Sequence, residues 1–330
     1  MTRGVMVPLD SYRLANYSVG LPCYICGEDN LHDAEICRHC FAPLALAHQV
    51  NAQGIQPQIL TTIGSSGAGK TVFLGMLLDM LSRQPNGLQL LARGAFSITL
   101  QQLTISALAQ CRFPQKTPLE ADRWNWVHAQ LKSTDQPQPL ELVMPDLAGE
   151  AIAQEIEHPF SQRAIRELLT KSRAALLLVD AMSLERGLVE QDFFLLKLLC
   201  YLQELPAEAP PMVRRGTTLP WSHEPWGKRP LAVVFTKADV CDGCFDDPEG
   251  FAAQYLPGVR QFCRDRFSQV AYFAAGVAGG CVSRTIRYEG RVRVPLRIEP
   301  RGIVEPFEWL IQQLQCGKKR NAFREKLRFS

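Results

Sequence analysis

Apolar residues gather in six short runs along this chain, at 59–63, 124–131, 140–144, 174–179, 231–235 and 270–274. Most of these runs are continuous rather than alternating, which is the pattern of strands buried on both faces of a parallel sheet. Between them the spacing of apolar positions predicts helices over 71–82, 151–172, 185–205, 248–267 and 305–314. Strands alternating with helices predict an α/β domain of three layers with a mostly parallel sheet. Three segments exceed a minimal domain of this kind. An extra helical stretch is expected at about 88–113, and 206–230 is a Pro-rich loop with two tryptophans. At about 282–302 the run 282–298 alternates like a hairpin turning at Glu289-Gly290. Insertions of this sort are expected to serve partner contacts.

The domain reading follows from the breaks. Residues 1–20 form an extension without a clear period, and 21–45 hold a cysteine cluster. Polar 46–58, broken by Gly54 and Pro57, is expected to be a linker. The main domain spans 59–316, and a basic tail at 317–330 is expected to fray. Hydrophobic content of 46% and charged content of 21% leave ample material for a core. A net charge of +3 is too mild for the dense basic face of a nucleic-acid binder, so nucleic acid is not an expected partner. No apolar run reaches membrane-spanning length, and the first twenty residues lack the plan of a signal peptide. A cytoplasmic protein is expected.

The strand at 59–63 runs into Gly64-Ser65-Ser66-Gly67-Ala68-Gly69-Lys70-Thr71, a GxxxxGK(S/T) loop opening a helix. Glycines let the chain turn so that successive N–H groups face the phosphates, and the helix N-terminus adds partial positive charge. In this role Lys70 contacts the β- and γ-phosphates and the Thr71 hydroxyl ligates Mg²⁺. Asp146 and Gly149 stand at DxxG spacing after the strand at 140–144. The carboxylate can hold Mg²⁺ through a water, and the Gly149 amide can bond the γ-phosphate and swing away once it leaves. Thr236-Lys237-Ala238-Asp239 follows the strand at 231–235. A carboxylate there can accept from the N1–H and N2 groups of guanine while the Lys237 stem packs on the base.

These three motifs, in this order on successive strands, resemble the Ras-like P-loop GTPases of the translation-factor-related class. With the long segment before Asp146-Leu-Ala-Gly-Glu150 and the attached cysteine cluster, the chain is most similar to the bacterial double-GTPase (DO-GTPase) group, which is linked to conflict or signalling systems. The resemblance implies GTP and GDP as ligands, Mg²⁺ as cofactor, and a switch threonine reaching the metal and the γ-phosphate. Thr117 is the expected residue, with Thr99 and Thr104 as competitors. It further implies a last base-contacting loop at 273–276, where the Ala275 backbone N–H would meet the guanine carbonyl. Two positions depart from the Ras pattern. Thr236 stands where Asn is usual, and a hydroxyl is expected to tether the phosphate loop less well. Glu150 stands where Ras has a water-orienting Gln, and a carboxylate carries the wrong charge unless it acts as a base or turns outward. Hydrolysis is therefore expected to be slow, with a partner or dimer mate supplying a cation; Arg163, Arg166 and Arg173 are more often a solvated helix face. The alternatives are a nucleotide-bound scaffold without turnover and, less favoured by Asp239, an ATPase.

Cys23-x2-Cys26 and Cys37-x2-Cys40, ten residues apart, give two knuckles whose thiolates complete the tetrahedral S4 set that Zn²⁺ favours. So short a segment cannot bury a core, so the metal would supply its folding energy. A closed four-thiolate site has no open position, which points to a structural zinc ribbon used for docking an unknown effector or activator. His32 and His39 could replace a cysteine. Cys241 and Cys244 read as incidental loop thiols.

Overall fold

Ahead of the main domain, two short antiparallel strands, β1 (Leu21–Pro22) and β2 (Asp29–Asn30), lead into helix α1 (Ala45–Gln53). Residues 45–53, most of them expected in a linker, are thus helical, and Leu46 and Ala47 are buried. The computed structural model describes residues 20–53, 57–83, 87–133, 139–187, 190–206, 224–286 and 290–328. Within these, the main domain continues with β3 (Gln58–Ile63), α2 (Lys70–Ser82), β4 (Leu88–Arg93), α3 (Gly94–Ala109), β5 (Trp126–Ser133) and β6 (Leu140–Pro145). Next come α4 (Gly149–Glu157), α5 (Arg163–Lys171), β7 (Ala174–Asp180), α6 (Ala181–Glu185), α7 (Glu190–Glu204) and β8 (Leu231–Thr236). The chain ends with α8 (Pro248–Tyr255), α9 (Pro257–Arg266), β9 (Val270–Ala274), the hairpin β10 (Gly276–Ile286) and β11 (Gly290–Arg301), and α10 (Glu305–Arg328).

Each of the six apolar runs is a strand of one seven-stranded sheet, ordered β4-β5-β6-β3-β7-β8-β9. Strands β6, β3, β7, β8 and β9 are parallel, while β4 and β5 extend one edge antiparallel. Strand β7 shows why the runs are continuous, since all seven of its residues are buried. Ala175, Leu177 and Val179 join the core beneath α4, α5, α7 and α9, whereas Ala174, Leu176 and Leu178 join the opposite core under α2, α3 and α10. Each such leucine withdrawn from water contributes about 2 kcal/mol.

Several boundaries differ from the sequence reading. The stretch 88–113, expected as helix, opens with edge strand β4. Gly94, at φ 76°, then turns the chain into α3. The predicted helix 151–172 is two helices, because Pro159 and Phe160 (φ 76°) interrupt it. The buried Glu155 carboxylate holds that break, accepting from the N–H of Phe160 at 3.0 Å, the N–H of Gln162 at 2.7 Å and the Tyr201 hydroxyl at 2.6 Å. The predicted 248–267 helix likewise breaks at Leu256, where Pro257 disfavours helical backbone in the residue before it. Of the helix expected over 185–205, Glu190–Glu204 forms α7, and Glu185 ends the preceding α6. Helix α10 runs on to Arg328, through residues expected to fray. The hairpin is longer than expected, with Gly276 paired to Arg301. Its predicted turn residue Glu289 lies outside the described residues, as do 207–223 of the Pro-rich loop. Among the described residues no helix is long and apolar enough to cross a membrane.

Candidate functional site

Because five strands run parallel, their C-terminal ends share one edge of the sheet, and the loops leaving those ends converge there. Strand β3 sits at the centre and delivers the 64–70 loop, β6 delivers Asp146, β7 Asp180, β8 Thr236 and β9 Ala275. A cleft of about 330 Å³ opens on this edge. Its lining includes Lys70, Thr71, Thr117, Glu150, Lys237 and Asp239, so the phosphate-loop and base-reading motifs share one cavity.

The phosphate loop is tightly cradled. Gly64 passes so close to β7 that a Cβ would sit 2.3 Å from the Leu178 carbonyl oxygen, and Gly69 takes φ 82° to start α2. The Lys70 ammonium is buried and donates to the carbonyls of Gly64 at 3.0 Å and Ser65 at 2.8 Å. Among the described residues no carboxylate lies within ion-pair distance of it. Burial pushes its pKa down to about 8, with Asp146 and Glu150 pulling the other way. A buried cation with carbonyl partners only suits a polyanionic ligand.

Behind the loop, three oxygens face one another. Thr71 Oγ1 lies 3.1 Å from Asp146 Oδ1 and 3.0 Å from Thr117 Oγ1, and the Thr117 hydroxyl donates to Asp146 Oδ2 at 3.0 Å. Burial raises the Asp146 pKa, opposed by hydrogen bonds from Thr117 and Thr71 and by Lys70. Oxygens at these spacings match the ~3 Å edge of an octahedron of ligands about Mg²⁺, so this trio could hold that ion. Of the competing threonines, Thr104 is packed in α3 against Gly75, and Thr99 is exposed on the same helix. Gly149 lies against the phosphate loop, where a Cβ would meet the Ser66 nitrogen at 2.4 Å. The next residue, Glu150, accepts from the Ser66 hydroxyl at 2.6 Å. That bond, more than any other influence, holds its carboxyl below the usual range.

At the base end, the Thr236 hydroxyl lies 2.8 Å from the Ala68 carbonyl and 3.1 Å from that of Val179. It ties the phosphate loop to the ends of β7 and β8. Lys237 adopts φ 58°, and its ammonium pairs with Asp180. Asp239 is half-buried. Burial raises its pKa, against the pull of Arg293 and Lys237. Gly276 is required beside it, since a Cβ there would sit 2.9 Å from Asp239 Cβ.

Ala275 needs a correction. Its N–H, expected to meet a guanine carbonyl, donates instead to the Phe235 carbonyl at 2.7 Å, because the sheet pairing continues one residue past β9. The Ala275 carbonyl accepts from Ala238 N–H at 3.1 Å and so fixes the turn that carries Asp239. Sequence reasoning also missed Asp180, Lys116 and the hairpin residues Cys281 and Arg293, which line or brace the cleft. Asp180 had a readable signal, since it ends a buried strand in register with Thr236.

The cysteine cluster is assembled. The four Sγ atoms of Cys23, Cys26, Cys37 and Cys40 lie within 4.8 Å of one another, with Cys23 to Cys40 at 3.6 Å and Cys26 to Cys37 at 3.5 Å. A tetrahedral zinc–thiolate site has S···S edges of ~3.8 Å, so the donor set fits Zn²⁺. Backbone N–H groups of Ile25 and His39 point at Cys23 and Cys37 sulfur at 3.4 Å, as thiolates favour. Neither histidine joins the cluster: His39 pairs with Glu28 at 3.1 Å, and His32 packs on His48. Cys241 and Cys244 are buried, and burial pushes both thiols up to about 12.

The family model described as Double-GTPase 1 matches residues 61–285. No curated protein matches the chain. Among solved structures, nucleolar GTP-binding protein 1 of Plasmodium falciparum is 10% identical with a TM-score of 0.41, covering 83% of this chain and 94% of its own. The Arl6 small GTPase of Trypanosoma brucei, with a bound nucleotide analogue, is 12% identical with a TM-score of 0.39, covering 78% and 98%. The GTP-bound GTPase-like domain of S. cerevisiae Ski7 is 15% identical with a TM-score of 0.38, covering 81% and 52%. Likeness at that level carries no functional argument. The family match spans the phosphate loop, both later nucleotide motifs and the first strand of the hairpin, and on it this chain belongs to the Double-GTPase 1 family of GTP-binding proteins.

Proposed function

We propose that the protein is a GTP-dependent switch that hydrolyses GTP slowly and signals the nucleotide state through the Thr117 and Asp146–Glu150 segments. The observation that carries this reading is the single cleft shared by Lys70, Thr71, Thr117 and Asp239. In it the 64–70 loop and Lys70 hold the phosphates, Lys237 packs on the base, and Asp239 accepts from guanine. When bound, Mg²⁺ supplies charge neutralisation at the phosphates, and Thr71, Thr117 and Asp146 would hold it. Thr117, in a loop, and Gly149, at the start of α4, both line the phosphate end of the cleft, so loss of the γ-phosphate would release both. A protein effector is the expected reader of that change. The cysteine ribbon is proposed as a docking site, supported by the exposed Leu31, Ile36 and Phe41 on its outer surface.

Turnover of radiolabelled GTP and ATP by the purified protein, with Lys70→Ala as control, tests the reading. The expected outcome is slow GTP hydrolysis that Lys70→Ala abolishes, with Asp239→Asn shifting preference toward xanthine nucleotides. Hydrolysis that prefers ATP, or that survives loss of Lys70, refutes it. Tight GTP binding with no turnover would leave the nucleotide-bound scaffold as the function.

A further inference from the structure

Hydrolysis of a phosphoanhydride builds negative charge on the phosphate oxygens, and P-loop GTPases meet that charge with a cation in addition to the loop lysine. The helical arginines do not reach the cleft. Arg166 lies 4.0 Å over the Phe160 ring, and Arg173 stands at the start of β7, bonded through its N–H to Ile59 at the far end of the sheet. A different cation does. Lys116, in the segment that delivers Thr117, places its Nζ 3.5 Å from Glu150 Oε1 and 3.4 Å from the Ser66 hydroxyl, which itself bonds Glu150. Three separate segments therefore meet at the phosphate end: the 64–70 loop through Ser66, the segment before Thr117 through Lys116, and the start of α4 through Glu150.

The Lys116 side chain is 76% exposed and that of Glu150 46%. An ion pair so open to water adds almost nothing to folding stability. Its placement matters for a different reason. An unpaired Glu150 carboxylate would repel the charge that builds on the γ-phosphate oxygens as the step proceeds, and Lys116 removes that repulsion while holding the carboxylate on Ser66.

We propose that Lys116 is the positioning residue of the hydrolytic step, acting through Glu150 as an intramolecular charge partner. This rests on the GTPase reading above. In the step, water oxygen bonds to the γ-phosphorus, the bond from that phosphorus to the β–γ bridging oxygen breaks, and the water proton passes to the departing phosphate, leaving GDP and inorganic phosphate. Lys116 keeps Glu150 turned to Ser66 and away from the γ-phosphate oxygens throughout.

The test is single-turnover GTP hydrolysis, with GTP affinity and melting temperature measured alongside, for wild type, Lys116→Arg, Lys116→Ala, Lys116→Ala/Glu150→Gln and Lys70→Ala. Lys116→Ala is expected to slow hydrolysis about 10- to 100-fold, below the loss for a buried oxyanion donor because the site is wetter, with GTP affinity within about 3-fold and an unchanged melting temperature. Lys116→Arg should retain most of the rate. The double variant should recover part of what Lys116→Ala loses, since the repelling charge is gone. Hydrolysis by Lys116→Ala at the wild-type rate overturns the proposal, as does a double variant no faster than Lys116→Ala. Wild-type protein that binds GTP without hydrolysing it overturns the parent reading and this one together, whereas wild-type turnover abolished by Lys70→Ala but insensitive to Lys116 overturns this one alone.

Discussion

Replacing Lys70 by methionine keeps an unbranched stem in the 64–70 loop and removes a buried charge. In the folded protein burial brings the Lys70 pKa from 10.5 to about 8. At about 1.4 kcal/mol for each factor of ten in proton affinity, that drop costs the folded state about 3 kcal/mol wherever the lysine must be charged. The folded-state value is the lower one, so the unfolded chain binds the extra proton between pH 8 and 10.5. The penalty is therefore complete below pH 8, shrinks through that window and is gone above it. Thiols act with the opposite sign in the same range, since burial pushes Cys263 up to about 12. The diagnostic quantity is thus the difference between variant and wild type rather than either curve alone. The bonds to the Gly64 and Ser65 carbonyls go with the ammonium and offset about 1–3 kcal/mol of that relief. Urea unfolding without nucleotide should therefore find Lys70→Met no less stable than wild type at pH 7.5, with the difference moving toward wild type by about 2 kcal/mol at pH 9.5. The same variant should fail to bind GTP. A difference between variant and wild type that is the same at both pH values refutes the desolvation account of this lysine.

Two further outcomes follow from contacts at the edges of the site. Thr236→Val keeps the shape of the side chain but leaves the Ala68 and Val179 carbonyls without that donor. A loss of about 1–3 kcal/mol is expected, read as up to about 100-fold weaker GTP binding by titration; unchanged affinity and melting would show that the tether is dispensable. Removing zinc, by chelation or by Cys37→Ser, should lower the melting temperature of the entire protein in a single transition. Leu21, Ile25 and Leu44 of the ribbon belong to the same apolar core as Ile165 and Leu168 of α5. Two transitions, with the main one unmoved, would mean that the ribbon folds by itself.

What could be read from sequence was whatever a local pattern determines. The strands were legible because parallel strands between two helical layers must be apolar on both faces, as β7 is, and the phosphate loop because its glycines, lysine and threonine are contiguous. The breaks at Pro159 and Pro257 were visible as prolines, yet the apolar period continues across them and hides the turn that Glu155 stabilises. Strand β4 was hidden for a related reason. Its six residues have no strict alternation, and only pairing with β5 makes them a strand. The ion pair between Lys116 and Glu150 joins positions 34 residues apart through a fold that no periodicity encodes. The same holds for the buried pair His128 and Glu141, 2.8 Å apart on neighbouring strands, which α1 reaches through Gln49.

The ribbon has a consequence for biosynthesis. Its knuckles leave the ribosome before the main domain does, but the Lys171 side chain that bonds the Ile25 carbonyl follows 146 residues later. At typical elongation rates that is a delay of roughly 7 to 30 s. Were the four thiolates to take up Zn²⁺ in this interval, the knot they close would present an apolar underside with nothing to rest on. A chaperone that shields Leu21 and Ile25 while the ribosome is still translating would therefore raise the yield of folded protein more than one that acts after release.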